Sequence, residues 1–116
     1  TLYDTIFSVY GSLLEDVYAT GARNFLFLSV PPVNLAPMTL NQDDGGYAKE
    51  NEGKVILDWN KRLSEMVNAF QANHTGTTAF VHDTWGLFNA VIENPASYEQ
   101  TAGLKNVTDY CAAYMK

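Results

Sequence analysis

The stretch that decides the fold is Gly21-Ala22-Arg23-Asn24-Phe25-Leu26-Phe27-Leu28-Ser29-Val30-Pro31-Pro32. Its centre, Asn24 to Val30, is a nearly continuous apolar run of strand length. A run without polar alternation is how a parallel strand covered on both faces reads. Pro31 and Pro32 end it, because neither can donate to a strand ladder. Upstream, Leu2, Ile6, Val9, Tyr10, Leu13, Leu14, Val17 and Tyr18 recur at helical spacing, and Gly21 follows at a C-cap position. Helix, glycine, buried strand and double proline together predict one unit of a parallel α/β sheet.

The same alternation recurs downstream. From Pro31 to about Lys49 no periodicity is visible, and Pro37, Gly45 and Gly46 act as breakers. Glu50 to Ala72 then predicts the longest helix, with Val55, Ile56, Trp59, Leu63, Met66, Val67 and Phe70 on one stripe. Thr77 to His82 reads as a second short strand. Asp83 or Thr84 can cap a last helix that runs to about Glu93, where Asn94-Pro95 stops it. The tail to Lys116 is polar and mixed. Strands alternating with longer helices predict right-handed crossovers. Two parallel strands cannot bury both sheet faces and three helical stripes, so further strands are expected beyond these residues.

Composition narrows the function. The chain has 116 residues, enough for one compact domain or half of a larger one. Seven Lys and Arg against thirteen Asp and Glu leave a net charge of -6, which phosphate backbones and anionic lipid surfaces repel. No apolar run approaches the ~20 residues of a membrane span. The start at Thr1, without Met or signal peptide, predicts a processed or trimmed product. Two Asn-x-Thr sequons, at Asn73 and Asn106, predict secretion and glycosylation. In a secreted protein the single cysteine, Cys111, is expected to pair with a cysteine outside this chain.

The chemistry should sit beyond the carboxyl ends of the strands. Those positions are the loop from Ser29 through Pro32, Val33 and Asn34, about nineteen residues long, and the turn Val81-His82-Asp83-Thr84. Loops of that length are functional or mobile excursions. His82 and Asp83 are adjacent on an extended segment, so they point to opposite faces, and Asp83 is better read as a helix cap. His74 is expected in a solvent-exposed loop. Two isolated histidines without neighbouring Cys or carboxylate spacing predict no metal site. Ser12 lies inside a helical pattern and lacks the Gly-x-Ser-x-Gly elbow, while Ser29, Ser64 and Ser97 have no base nearby in sequence. No glycine-rich phosphate loop occurs, so no cofactor is expected. No residue of this chain reads as catalytic.

Taken together, Gly21-Ala22-Arg23, the apolar strand and Pro31-Pro32 resemble the fourth-strand region of the GDSL, or SGNH, hydrolase family. Trp59-Asn60-x-x-Leu63 resembles a helix of that family, and Phe80-Val81-His82-Asp83-Thr84-x-x-Leu87-Phe88 its next strand and helix. Asn94-Pro95-x-x-Tyr98 and Asn106-Val107-Thr108-Asp109-Tyr110-Cys111 complete a collinear order over nearly the whole chain. The closest flavour is that of secreted fungal acetylesterases. The resemblance implies a flavodoxin-like α/β/α three-layer sandwich, of which residues 1–116 form a C-terminal-side part. It further implies hydrolysis of esters, acetylated carbohydrate among them, by a Ser nucleophile with a His base oriented by Asp.

The family carries its nucleophile in a Gly-Asp-Ser motif, oxyanion-hole groups in a Gly and a Gly-x-Asn-Asp block, and its base in Asp-x-x-His. None of these occurs here: Gln71 stands three residues before His74 and Ala79 three before His82. The segment would fall between the last two blocks. By analogy Pro32, Val33 and Asn34 are expected to border the acyl site. Two other readings stay open: a non-catalytic binding module that pairs with a complementary chain, and a complete small α/β protein that shares the pattern.

Overall fold

The computed structural model describes residues 1–111 and 113. In chain order it holds α1 (Leu2–Ala19), β1 (Asn24–Leu28), α2 (Pro37–Leu40), α3 (Tyr47–Asn73), β2 (Thr78–His82) and α4 (Thr84–Glu93). Single 3-10 turns lie at Val33–Leu35 and Pro95–Ser97. The expected order of helix, strand, helix, strand and helix is found, with one short helix, α2, added ahead of the long one. The residues fall into two compact units: Thr1–Ser29 with Asp58–His82, and Val30–Leu57 with the residues from Asp83 on.

The first unit is built on a two-stranded parallel sheet in which Asn24 pairs with Thr78, Leu26 with Phe80 and Leu28 with His82. Alternate strand residues point to opposite faces. Phe25, Phe27 and Ala79 therefore share one face, and α1 and the carboxyl-terminal part of α3 cover it. Leu14, Phe27, Leu63, Val67 and Phe70 are buried in one cluster there, with Tyr10, Tyr18 and Met66 packed around them. Each fully buried side chain of this size contributes roughly 1.5–3 kcal/mol. Trp59 packs on Phe7 with ring centroids 4.8 Å apart, and Arg62 reaches from α3 to Asp4 of α1 at 3.1 Å.

The Gly21-Ala22-Arg23 stretch is a helix terminator with a stated mechanism. Gly21 takes φ +103°, a conformation that costs a side-chain-bearing residue, and its N–H donates to the Tyr18 carbonyl. Arg23 then donates to the carbonyls of Tyr18 (2.9 Å) and Ala22 (2.7 Å) and lies 3.9 Å over the Tyr18 ring. The Tyr18 carbonyl in the last turn of α1 thus gains a cationic donor, which the helix dipole also favours there.

The opposite face of the sheet corrects one expectation. The apolar run from Asn24 predicts cover on both faces, yet Leu26 is 68% exposed, Leu28 60% and Phe80 63%. The described residues furnish helices for the Phe25–Phe27 face of this sheet and leave the other face apolar and open.

In the second unit the expected structureless loop is shorter and more ordered than its sequence. The 3-10 turn and α2 break it, and α3 begins at Tyr47, ahead of the expected Glu50. Turns of three or four residues are too short to leave a periodic trace. Pro37 opens α2 at its first position, where a missing N–H costs nothing. Asp44 accepts from the N–H groups of Gly46 (2.9 Å) and Ala48 (2.7 Å), which caps the start of α3. Thr39, 4% exposed, donates to Glu52 at 2.9 Å and so ties α2 to α3.

Candidate functional site

The loop that leaves β1 forms one wall of an apolar slot in the second unit. Pro31, Pro32, Val33, Leu35, Ala36 and Pro37 line it from one side, and Phe88, Ile92 and Val107 from the other; its volume is about 250 Å³. Among the described residues no titratable group lines the slot. The wall satisfies its own backbone: Val33 N–H donates to the Pro31 carbonyl at 2.7 Å, Leu35 N–H to Pro32 at 2.9 Å and Ala36 N–H to Val33 at 2.9 Å. Three prolines with fixed φ make this a preorganised surface. It can hold an apolar group and supplies no proton donor to one.

Of the three residues expected to border a substrate, the structure places two on the slot. Pro32 is buried and Val33 is 48% exposed. Asn34 points elsewhere: its Nδ2 donates to the Lys49 carbonyl at 3.3 Å, and its Oδ1 is buried without a hydrogen-bond partner. A 3-10 turn advances about a third of a circle per residue, so three successive side chains cannot share one face. Asn34 holds the wall against α3, where Gly53 leaves the room; a Cβ on Gly53 would stand 3.0 Å from Asn34 Nδ2. Phe88, Ile92 and Val107 were not expected at a site from the sequence. The apolar residues of α4 were the signal for the first two, and nothing local marks Val107.

The turn after β2 is structural. Asp83 accepts from the Gly86 N–H at 2.9 Å and caps α4, as its sequence position predicts. A Cβ on Gly86 would meet that carboxylate, so a side chain there would push the cap out of its place. His82 is exposed at the strand end. A wider apolar hollow of about 460 Å³ lies along α4, between Leu87, Phe88 and Val91 on one side and Tyr98, Thr101 and Leu104 on the other.

His74 corrects a second expectation. Its side chain is only 15% exposed, stacked on Phe70 (4.2 Å) and set edge-on to Tyr18 (4.4 Å). Nδ1 lies 2.7 Å from the Phe70 carbonyl and Nε2 2.9 Å from Glu15. It shares a hollow of about 290 Å³ with Ser12, Glu15 and Asn73. A serine, a histidine and a carboxylate in one hollow invite comparison with a hydrolytic triad, and the hydrogen bonds rule it out. Both ring nitrogens are occupied, and Ser12 Oγ donates to the Ser8 carbonyl of its own helix at 3.1 Å. Ser64 and Ser97 likewise donate to backbone carbonyls, of Asn60 and Ala90.

Among the described residues no group of three or more His, Cys, Asp or Glu could hold a metal ion, and no helix is long and apolar enough to cross a membrane. Cys111 is exposed and free. Both sequon asparagines are exposed: Asn73 is the last residue of α3, and Asn106 Oδ1 accepts from the N–H groups of Thr108 (2.8 Å) and Asp109 (3.0 Å).

No family model matches the chain, and no solved structure matches it. Among curated proteins it is similar to an acetylesterase of Thermothelomyces thermophilus, 34% identical over 84% of this chain and 32% of that protein. Two GDSL esterase/lipases of Arabidopsis thaliana are 27% and 29% identical, over 91% and 82% of this chain and 29% and 27% of theirs. The chain spans about a third of the length of the curated relatives it matches. The likeness covers most of the chain and agrees with its helix–strand order and parallel strand pairing, and so the chain belongs to the GDSL/SGNH hydrolase family.

Proposed function

We propose that these residues are the strand-end portion of a secreted ester hydrolase, and that the full-length protein cleaves carboxylic esters, acetyl groups on carbohydrate foremost. The observation that carries this reading is the collinear likeness, over most of the chain, to an acetylesterase. We place the nucleophile, the oxyanion donors and the base outside this chain, because the family's Gly-Asp-Ser and Gly-x-Asn-Asp motifs do not occur in it and neither histidine follows an Asp-x-x-His spacing. Those groups together supply most of the rate in acyl transfer. The contribution of this chain is the apolar wall at Pro32 and Val33, which faces the acyl group, with Asn34 holding it in register. Asn73 and Asn106 carry glycans, and Cys111 pairs with a cysteine elsewhere in the protein.

The test compares the full-length protein with the 116-residue chain on p-nitrophenyl acetate and on acetylated xylan. We expect turnover by the first and none by the second. Turnover by the isolated chain would place a nucleophile among these residues and sink the reading. A full-length protein that binds cell-wall oligosaccharide and hydrolyses no ester would establish the rival reading, a non-catalytic module of the same fold.

A further inference from the structure

The apolar slot and the apolar hollow of the second unit lie on adjoining faces of α4. Successive helical residues stand about 100° apart, so residues four apart share a face. Phe88 and Ile92 face the proline wall of the slot, and Leu87 and Val91 face the hollow. Phe88 belongs to both. Among the described residues it alone lines the slot, of about 250 Å³, and the hollow, of about 460 Å³. It is 49% exposed, so it stands between two open apolar spaces and is not packed into a core.

We infer that Phe88 sets the longest acyl chain the full-length esterase accepts, by closing the slot off from the hollow. This rests on the reading that the wall at Pro32 and Val33 faces the acyl group. Both spaces suit hydrocarbon. The slot wall uses its N–H groups within its own turn. Of the polar residues along the hollow, Thr101 donates its hydroxyl to the Pro95 carbonyl at 2.6 Å, and Gln100 is exposed to solvent. A sugar ring placed in either space would leave hydroxyls without partners, at a cost.

The volumes give the scale. An apolar cavity of about 150 Å³ takes up a benzene ring, so a slot of this size holds a chain of about six carbons. An acetyl group places one methyl there and leaves room. A chain that outgrows the slot meets Phe88, and beyond Phe88 the hollow continues the apolar surface along α4. Without the ring the two spaces join, and a longer chain gains burial where it met an obstacle. Each further methylene buried strengthens binding about fourfold. The rival occupant of the hollow is a segment of the full-length protein, which would make chain-length preference indifferent to Phe88.

The experiment measures kcat/KM of the full-length protein on p-nitrophenyl acetate, butyrate, hexanoate, octanoate and decanoate. Each value is divided by the same preparation's value for acetate, so any loss of active protein cancels. The natural sequence is expected to stay within a few-fold of acetate through hexanoate and to fall about tenfold by decanoate. Phe88→Ala should raise the decanoate ratio about tenfold or more, as two or more further methylenes find cover. Phe88→Trp should move the fall to shorter chains, and Phe88→Leu, which keeps more of the packing, should lie between Ala and Phe. Leu104→Glu on top of Phe88→Ala puts a charge in the hollow and should abolish the gain. Two results would overturn the inference while acetate is still turned over: ratios that neither Phe88→Ala nor Phe88→Trp moves, or a tenfold fall already at butyrate in the natural sequence. A full-length protein that hydrolyses none of the five esters would remove the esterase reading along with it.

Discussion

Asp83 shows how a single residue can be tempting chemistry and settled structure at once. It follows a histidine at the carboxyl end of a strand, where α/β enzymes place their reacting groups. Its carboxylate nevertheless accepts from the Gly86 N–H and closes the first turn of α4. Asp83→Ala is expected to cost about 1 kcal/mol in equilibrium unfolding, and Asp83→Asn a small fraction of that, since asparagine caps nearly as well. Both variants of the full-length protein should keep kcat/KM within a few-fold. A collapse of kcat/KM by a hundredfold or more in Asp83→Asn would make the residue a reacting group instead. This cap was legible in the sequence because donor and acceptor stand three positions apart. His74 was not, because its partner Glu15 lies 59 positions away and a loop histidine gives no local sign of what it will meet.

At the level of elements, the order of the long helices and strands was legible, with their ends placed to within about three residues. Each long element carries its own period, and Gly21 and the prolines mark the stops. The short turns between Pro31 and Tyr47 were illegible for the same reason: three or four residues hold no period. The slot they form depends on Phe88, Ile92 and Val107, brought in from far along the chain. One consequence concerns α3 and the turn that leans on it. Gly53 lies in the interior of α3, where alanine ordinarily gains about 1 kcal/mol over glycine. Here the added Cβ would press on Asn34 Nδ2, a group engaged with the Lys49 carbonyl rather than free to swing away. Gly53→Ala alone is therefore expected to yield little stability or to lose some. In an Asn34→Ala background the same change should recover the helical gain. Denaturant unfolding of the four proteins in this cycle measures the coupling; simple additivity within about 0.3 kcal/mol would show that the two side chains do not compete.

At the scale of the whole molecule, the apolar run of β1 was read correctly as a strand and its burial was not. Composition reports what a strand is prepared to bury, whereas cover depends on which other strands and helices are present. Leu26, Leu28 and Phe80 form a contiguous apolar face, and each strand has one partner, so both sheet edges offer unpaired N–H and C=O groups among the described residues. α1 and α3 pack on the same sheet face. A strand that fed α1 by a right-handed crossover, as α3 connects β1 to β2, would therefore lie against the free edge of β1. The exposed stripe of Val9, Leu13 and Val17 on α1 also asks for cover. Phe80 turns this into a measurement. If segments of a longer protein complete the sheet, Phe80→Ala in that protein removes a buried aromatic and should cost about 3–5 kcal/mol. If the face is a true surface, the same change stays within about 0.5 kcal/mol. The two outcomes differ by far more than the error of a denaturation midpoint. The smaller one would show that this sheet stands complete with two strands, and the catalytic groups could then no longer be sought on strands that extend it.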